Sequence, residues 1–522
     1  MTQRIVSPGL RLCQRAWLEM ALVATSPRAR RWERTVWVVV GAVTAVMLAL
    51  SGCAPVARSP APTPTASTLQ PRLYVMTHSQ PSPPSSAPPA VHVAALAPGD
   101  GSTQWSLTPS TAYPFHQAVA TAIGDTLYVM SDHLPANPND TSTPTGALSA
   151  MRSSDGHTLW KAQLGLFISA PVVSNGILYS TAIQSSGQGS SATRSKWVYA
   201  LHTSDGSHVW KAQLPGEFGL TDEVVLVGGV LYIASNQFCF DACSAAYLFA
   251  VRATDGKLLW EQTISGNLNI SAPTVDHGVV FLSVPTVEIP YGGLREIMAY
   301  DAASGASLWS RVTYLEDSYA GSHQFVAATG LVYTGLAKPV ASDPYRPDRW
   351  AYALAALDGR TGATRWQVST DLYPFIYAHD DQALYTQTQT ATASGSVANQ
   401  SLASYALSDG TRRWQTPTDP QAQVMGLVNG VLYENIDSIT AGAPARMVAL
   451  DTGNGMRRWQ IQLAPAPGKG SVGTVTGPFE LMNDALYVVV SGETLYALAP
   501  SDGHVMWRQT FDSAVVDLQY GS

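Results

Sequence analysis

Nine times in this chain a glycine is followed, four residues later, by a tryptophan. The pairs are Gly101–Trp105, Gly156–Trp160, Gly206–Trp210, Gly256–Trp260, Gly305–Trp309, Gly362–Trp366, Gly410–Trp414, Gly455–Trp459 and Gly503–Trp507. Glycine occupies only 42 of 522 positions, so chance does not produce such a series. Successive tryptophans stand about 50 residues apart, the spacing of an array of supersecondary units that bury their faces against one another. A chain built this way folds as one repeating body despite its length, rather than as three or four independent domains.

Within one period the pattern is that of short strands. Ala170-Pro171-Val172-Val173 passes through Asn175-Gly176 into Ile177-Leu178-Tyr179-Ser180. A polar stretch follows, and then Trp197-Val198-Tyr199-Ala200-Leu201 passes through Asp205-Gly206 into Val209-Trp210-Lys211. Asn-Gly and Asp-Gly supply the positive φ of tight hairpins, so the unit reads as a four-stranded antiparallel meander, strands A to D. Strand B carries an apolar–aromatic pair in each unit, as at Leu127-Tyr128, Val280-Phe281 and Leu486-Tyr487. Six residues before each motif glycine stands a small residue, Ala95, Ala150, Ala200, Ala250, Ala299, Ala356, Ser404, Ala449 or Ala497. A small residue at fixed distance from a tryptophan is expected where the ring packs over a neighbour's backbone. The tryptophans therefore read as structural.

Ala356-Leu357-Asp358-Gly359-Arg360-Thr361-Gly362 through Trp366, with Ala299 to Trp309 and Ala449 to Trp459, resembles the tryptophan-docking motif of pyrroloquinoline-quinone-type propeller repeats. Other copies depart from it, with Arg152, His202 and Arg252 at the early aspartate position. The resemblance covers residues 91–522 and implies an all-β, eight-bladed propeller of four-stranded blades. Nine motifs allow nine blades, because Leu73-Tyr74 and Ser513-Ala514-Val515-Val516 could complete one blade from the two termini. Such closure by terminal strands also hides both sheet edges.

Upstream of the repeats, Arg28-Ala29-Arg30-Arg31-Trp32-Glu33-Arg34 precedes an apolar run from Val36 to Leu50, then Ser51-Gly52-Cys53. This is the layout of an export signal. Leu50 to Cys53 resembles the lipobox of bacterial lipoproteins, which implies cleavage before Cys53 and lipidation of its sulfur. An uncleaved signal anchor is the alternative, and the long basic region also admits a start at Met20. Residues 1–53 are thus expected to be a signal and membrane anchor, and residues 54–90, rich in Pro, Ser and Thr, a disordered stalk. The expected location is the bacterial cell envelope, lipid-anchored and extracytoplasmic. In such a compartment Cys239 and Cys243 could close a small disulfide loop, with two reduced thiols as the alternative.

Net charge is −7 and charged residues are 13% of the chain. No basic stripe marks the repeats, which excludes nucleic acid as an expected partner. A monomer is expected. In a propeller blade the A–B and C–D turns share one face, and the B–C and D–A connections share the other. Length variation falls in the B–C stretches, among them 181–196 and 386–400, so that face is the expected ligand face. Its D–A connections carry Tyr113, Phe115, His116, Tyr314, Tyr319, Tyr373 and Phe375, candidates to grip a protein or glycan if exposed. The same rings could instead cap the blade tops.

No catalytic, cofactor-binding or metal-ligating residue is assigned from spacing. The family resemblance implies a pyrroloquinoline quinone and calcium site as one possibility, but its dehydrogenases carry adjacent cysteines, and here three residues separate Cys239 from Cys243. The expected function is a non-catalytic protein-binding scaffold tethered to the membrane. A quinone-dependent dehydrogenase and an envelope glycan-binding or sensor module are the alternatives.

Overall fold

The computed structural model describes residues 72–79, 90–108, 120–133, 145–166, 168–186, 193–216, 222–235, 245–265, 270–285, 294–314, 325–339, 350–391, 397–438, 443–465, 474–482 and 485–521. The chain divides into two units, Met1–Thr68 and Leu69–Ser522, and the described residues all lie in the second. Cys53, Cys239 and Cys243 lie outside the described residues, so the lipidation and disulfide expectations fall there too.

Every regular element among the described residues is a β-strand, and the strands form nine four-stranded antiparallel sheets. Numbered by their tryptophans, blade 1 carries Trp105 and blade 9 carries Trp507. Blade 2 shows the common plan: Ala120–Ile123, Thr126–His133, Thr145–Arg152 and Thr158–Gln163 pair in sequence order as strands A to D. The A strands of neighbouring blades approach one another, as Phe375–His379 does Ala422–Val428. The D strands alternate between exposed and covered side chains, as expected at an outer edge.

The described residues form nine blades, the count the nine motifs allowed, rather than eight. The ninth is blade 1, assembled from Arg72–Ser79, Ala90–Leu96 and Thr103–Leu107 with the C-terminal strand Ala514–Gly521 as its innermost member. Leu73, Tyr74 and Val75 pair with Tyr520, Gln519 and Leu518. The last described segment of the chain thereby hides the inner edge of its first blade. The same pairing corrects the stalk boundary. Residues 72–79 were placed in the stalk at 54–90, yet Leu73, Tyr74, Val75 and Met76 are fully buried. A proline-rich neighbourhood masks an apolar strand of only eight residues.

The repeat has a simple packing logic. In blade 2, Tyr128, Ala150 and Trp160 lie side by side across strands B, C and D. The tyrosine and tryptophan rings sit 6.0 Å apart between centroids over the small residue that separates them. The tryptophan then reaches into blade 3, where a Cβ on Gly206 would stand 2.5 Å from its ring. Its indole N–H donates to the carbonyl of Thr203 at 2.8 Å. The small residue thus relieves crowding inside its own sheet, while glycine provides the close approach between sheets. At Gly206 the backbone has φ of 69°, the left-handed region glycine enters without a steric penalty.

Aspartates hold these C–D turns in two ways. Asp155 and Asp205 accept from the backbone N–H two residues on, at 2.9 Å each. Asp358, four residues before its glycine, instead accepts the N–H and hydroxyl of Thr361, each at 2.8 Å. The Arg365 guanidinium, with those Thr361 bonds, holds the Asp358 carboxyl down at about 2. The copies that depart from the family motif therefore keep the turn by moving the carboxylate.

Part of the expected B–C insertion is ladder rather than loop. In blade 7, strands Ala383–Ala391 and Val397–Ala406 pair out to Ala391 and Val397, taking up most of 386–400. Blade 3 does the same with Ile177–Ser186 and Thr193–His202.

Candidate functional site

The tight A–B hairpins place two residues at positive φ, for which Asn-Gly is suited: Asn175 and Gly176 in blade 3, Asn429 and Gly430 in blade 8. Blade 5 departs. Its turn is Asp276-His277-Gly278, with His277 at φ of 44°. The strained histidine belongs to a polar cluster that the sequence pattern had left on the unremarkable face of the ring.

Asp276 has two roles. One carboxylate oxygen contacts His277 Nδ1 at 2.8 Å, and the other accepts the backbone N–H of Gly330 in blade 6 at 2.7 Å. Beside it, Asp301 pairs with Arg360 of blade 6 at 2.9 Å. Bonds from Ser304 and then this guanidinium lower the Asp301 pKa, keeping it ionised. Blades 5 and 6 are thus cross-tied by a charged turn on each.

These groups rim a cleft of about 800 Å³ whose walls come from blades 4 and 5, with Arg360 reaching in from blade 6. Its floor is apolar. Val227 and Leu259, 40% and 37% exposed, both line it, with Val230 and Val275. Tyr232 closes one side, and its hydroxyl donates to the carbonyl of Ala302 at 3.1 Å, the same oxygen that receives the Trp260 indole at 3.0 Å. An aliphatic floor inside a rim of paired charges suits a protruding aliphatic side chain with polar neighbours.

The candidates from sequence fare differently. Tyr113, Phe115, His116 and Tyr319 lie outside the described residues, and Tyr314 ends strand D of blade 5. Tyr373 and Phe375 are not exposed: they are 7% and 6% accessible, within the core between blades 7 and 8. Their rings meet edge to face at 4.9 Å, and the Tyr373 hydroxyl donates to the Gly335 carbonyl at 3.3 Å. Gly335 permits this, since a Cβ there would lie 2.6 Å from the Tyr373 ring. These two rings cap and pack rather than present a surface.

Among the described residues no three His, Cys, Asp or Glu side chains converge to hold a metal ion. No helix among them is long and apolar enough to cross a membrane.

The closed ring with its docked tryptophans agrees with the sequence comparison. A model of the family described as outer membrane protein assembly factor BamB matches residues 90–194, 194–375 and 353–479. The chain belongs to this family of pyrroloquinoline-quinone-type propeller repeats. No curated protein sequence matches it. Among solved structures it is similar to the quinohemoprotein alcohol dehydrogenase of Comamonas testosteroni, at 15% identity and TM-score 0.42, over 67% of each chain. BamB from Moraxella catarrhalis gives 15% identity and TM-score 0.34, over 58% of this chain and 79% of that one. Apo AztD from Citrobacter koseri gives 10% identity and TM-score 0.40, over 86% of this chain and 97% of that one. Likeness at this level says nothing of ligand or activity.

Proposed function

We propose that this protein is a non-catalytic scaffold of the cell envelope, tethered through the lipidated Cys53, whose cleft between blades 4 and 5 receives a partner protein. The observation that carries this reading is the exposed pair Val227 and Leu259 inside the polar rim of Asp276, His277, Asp301 and Arg360. Water-exposed aliphatic groups gain from being covered, and the rim supplies orientation. The export signal in the sequence and the family's description as an outer membrane assembly factor support the location and the class of partner.

A photo-crosslinking residue placed at Leu259 of the full-length protein, in membranes, tests it. The expected result is a discrete protein adduct that the same residue at Leu159, an exposed apolar position of blade 2, does not form. Equal labelling from both positions, or none from Leu259, removes the cleft from the reading. Saturable binding of pyrroloquinoline quinone with calcium, together with dye-linked alcohol oxidation, overturns the non-catalytic assignment.

A further inference from the structure

A second cavity, of about 410 Å³, opens between blades 6 and 7 on the flank of the ring. Its existence has a local cause. Four residues after the motif tryptophan, blades 2, 3, 4 and 8 carry Leu164, Leu214, Ile264 and Leu463, which are 1%, 1%, 5% and 0% exposed and fill the space between sheets. Blades 5, 6 and 7 carry threonine at this position instead, Thr313, Thr370 and Thr418, and it is at Thr370 that a cavity opens beside it. The threonine is too short to fill the gap, and its buried hydroxyl has no hydrogen-bond partner among the described residues. A buried hydroxyl left unpaired costs about 1–3 kcal/mol; Thr418 of blade 7 shares that feature, and Thr370 differs from it in lining the cavity.

The opposite wall, from blade 7, is a preorganised polar relay. Arg412 Nη1 donates to Gln415 Oε1 at 2.8 Å, and Gln415 Nε2 donates to Ser401 Oγ at 3.0 Å. Ser401 Oγ in turn lies 2.9 Å from Thr388 Oγ1. The relay fixes the orientation of the Gln415 amide, Arg412 also engages the Tyr405 hydroxyl, and each hydroxyl of the relay can both donate and accept. The exposed carboxylate of Asp371 stands at the same cavity, which places one anion beside one cation. Val368, Leu372 and the edge of the buried Tyr405 supply its aliphatic and aromatic surface.

This lining selects among ligand classes. An apolar molecule would strip water from the relay without replacing its hydrogen bonds. A simple anion or cation meets a site already balanced by Asp371 and Arg412. A neutral polyol meets none of these penalties, since each hydroxyl both donates and accepts. Its ring C–H face can rest on Val368 and Leu372. We propose that the cavity between blades 6 and 7 is a saccharide-binding site for one or two pyranose rings. The volume lies near the lower end of the range for small-ligand sites, roughly 300–1,000 Å³.

Calorimetric titration of the full-length protein with glucose, N-acetylglucosamine, cellobiose and chitobiose tests the assignment. At least one disaccharide should saturate the protein with a dissociation constant of about 1 mM or tighter. Thr370→Leu, which introduces the residue found at this position in blades 2, 3 and 8, should weaken that binding at least about tenfold without lowering the unfolding temperature. Arg412→Ala should weaken it comparably, whereas Leu259→Asp, in the other cleft, should leave it unchanged. The proposal is overturned if no sugar saturates the protein, if Thr370→Leu binds as the native chain does, or if inorganic phosphate binds more tightly than the sugars. Its failure would not touch the scaffold reading, because the two cavities share no residue.

Discussion

The indole of Trp507 lies flat against the backbone of Gly101, so close that a Cβ there would stand 2.6 Å from its ring. The same indole N–H donates to the carbonyl of Pro98 at 2.7 Å. This contact joins blade 9 to blade 1, and with the eight equivalent tryptophan contacts it closes the ring. Gly101→Ala should therefore destabilise the protein by about 2–4 kcal/mol, through both steric overlap and a backbone φ of 71°. Gly124→Ala is the control, because its φ of 60° imposes strain while no atom lies within 4 Å of the added Cβ. Thermal unfolding of both variants separates the two contributions. Equal losses would mean that the tryptophan contact carries no weight.

Closure also depends on the last strand. Val515 and Leu518 are 4% and 1% exposed and pack with Leu73 and Val75. Removing residues 513–522 should bare the inner edge of blade 1, broaden thermal unfolding and promote association. A synthetic peptide of residues 512–522 added in trans should restore a single sharp transition. A truncated protein that unfolds like the intact one would show that the strand merely decorates a ring closed by tryptophans.

Glu434 gives a pH signature. The side chain is 2% exposed in strand B of blade 8, and its Oε1 has no hydrogen-bond partner among the described residues. Burial, and then the negative charge of Asp419, pushes its pKa up to about 8 from the ordinary 4.5. The folded state therefore binds a proton that the unfolded state releases between those values. The stability associated with this proton is fully present below about 4.5 and is lost as pH rises through about 8. Glu434→Gln should abolish that slope, leaving the variant more stable than the native protein by a few kcal/mol at pH 8.5 or so and nearly level with it at about pH 4.5. Parallel stability curves across this window would contradict the buried, protonated carboxyl.

His277 tests whether strain is kept for a surface. Asparagine occupies the equivalent turn position at Asn175 and Asn429 with similar φ of 52° and 48°. His277→Asn should be neutral or stabilising by up to about 1 kcal/mol, since asparagine tolerates this conformation and the Asp276–Gly330 bond remains. Adduct formation from Leu259 should nevertheless fall. Unaltered crosslinking would place His277 outside the contact.

The repeat was legible because close packing of a large ring on a backbone admits only one residue, and that demand recurs every blade. Gly206 and Trp160 announce each other's type in the sequence, though not that they are partners. The motif pairs each glycine with the tryptophan four residues on, whereas the structure pairs it with the tryptophan of the preceding blade. The site was less legible. Asp276 and Arg360 look like ordinary turn residues, and only the closing of blade 5 on blade 6 brings them to one rim. A histidine at the left-handed position before Gly278, where blades 3 and 8 carry asparagine, was the one local signal. Conversely, Tyr373 and Phe375 looked like a binding surface because a Tyr-Pro-Phe connection normally lies outside, and Gly335 drew them into the core.

By itself the sequence determined the strand period, the turns and the tryptophan mortar, since these depend on contacts that recur identically in each blade. Tertiary structure decided between eight blades and nine: the sequence offered Leu73-Tyr74 and Ser513 to Val516 as the parts of a ninth blade, and only the pairing of Arg72–Ser79 with Ala514–Gly521 shows that they form it. It also decided where the cavities are. A cleft is made by what two neighbouring blades fail to fill, and that depends on residues far apart in the chain meeting across one interface.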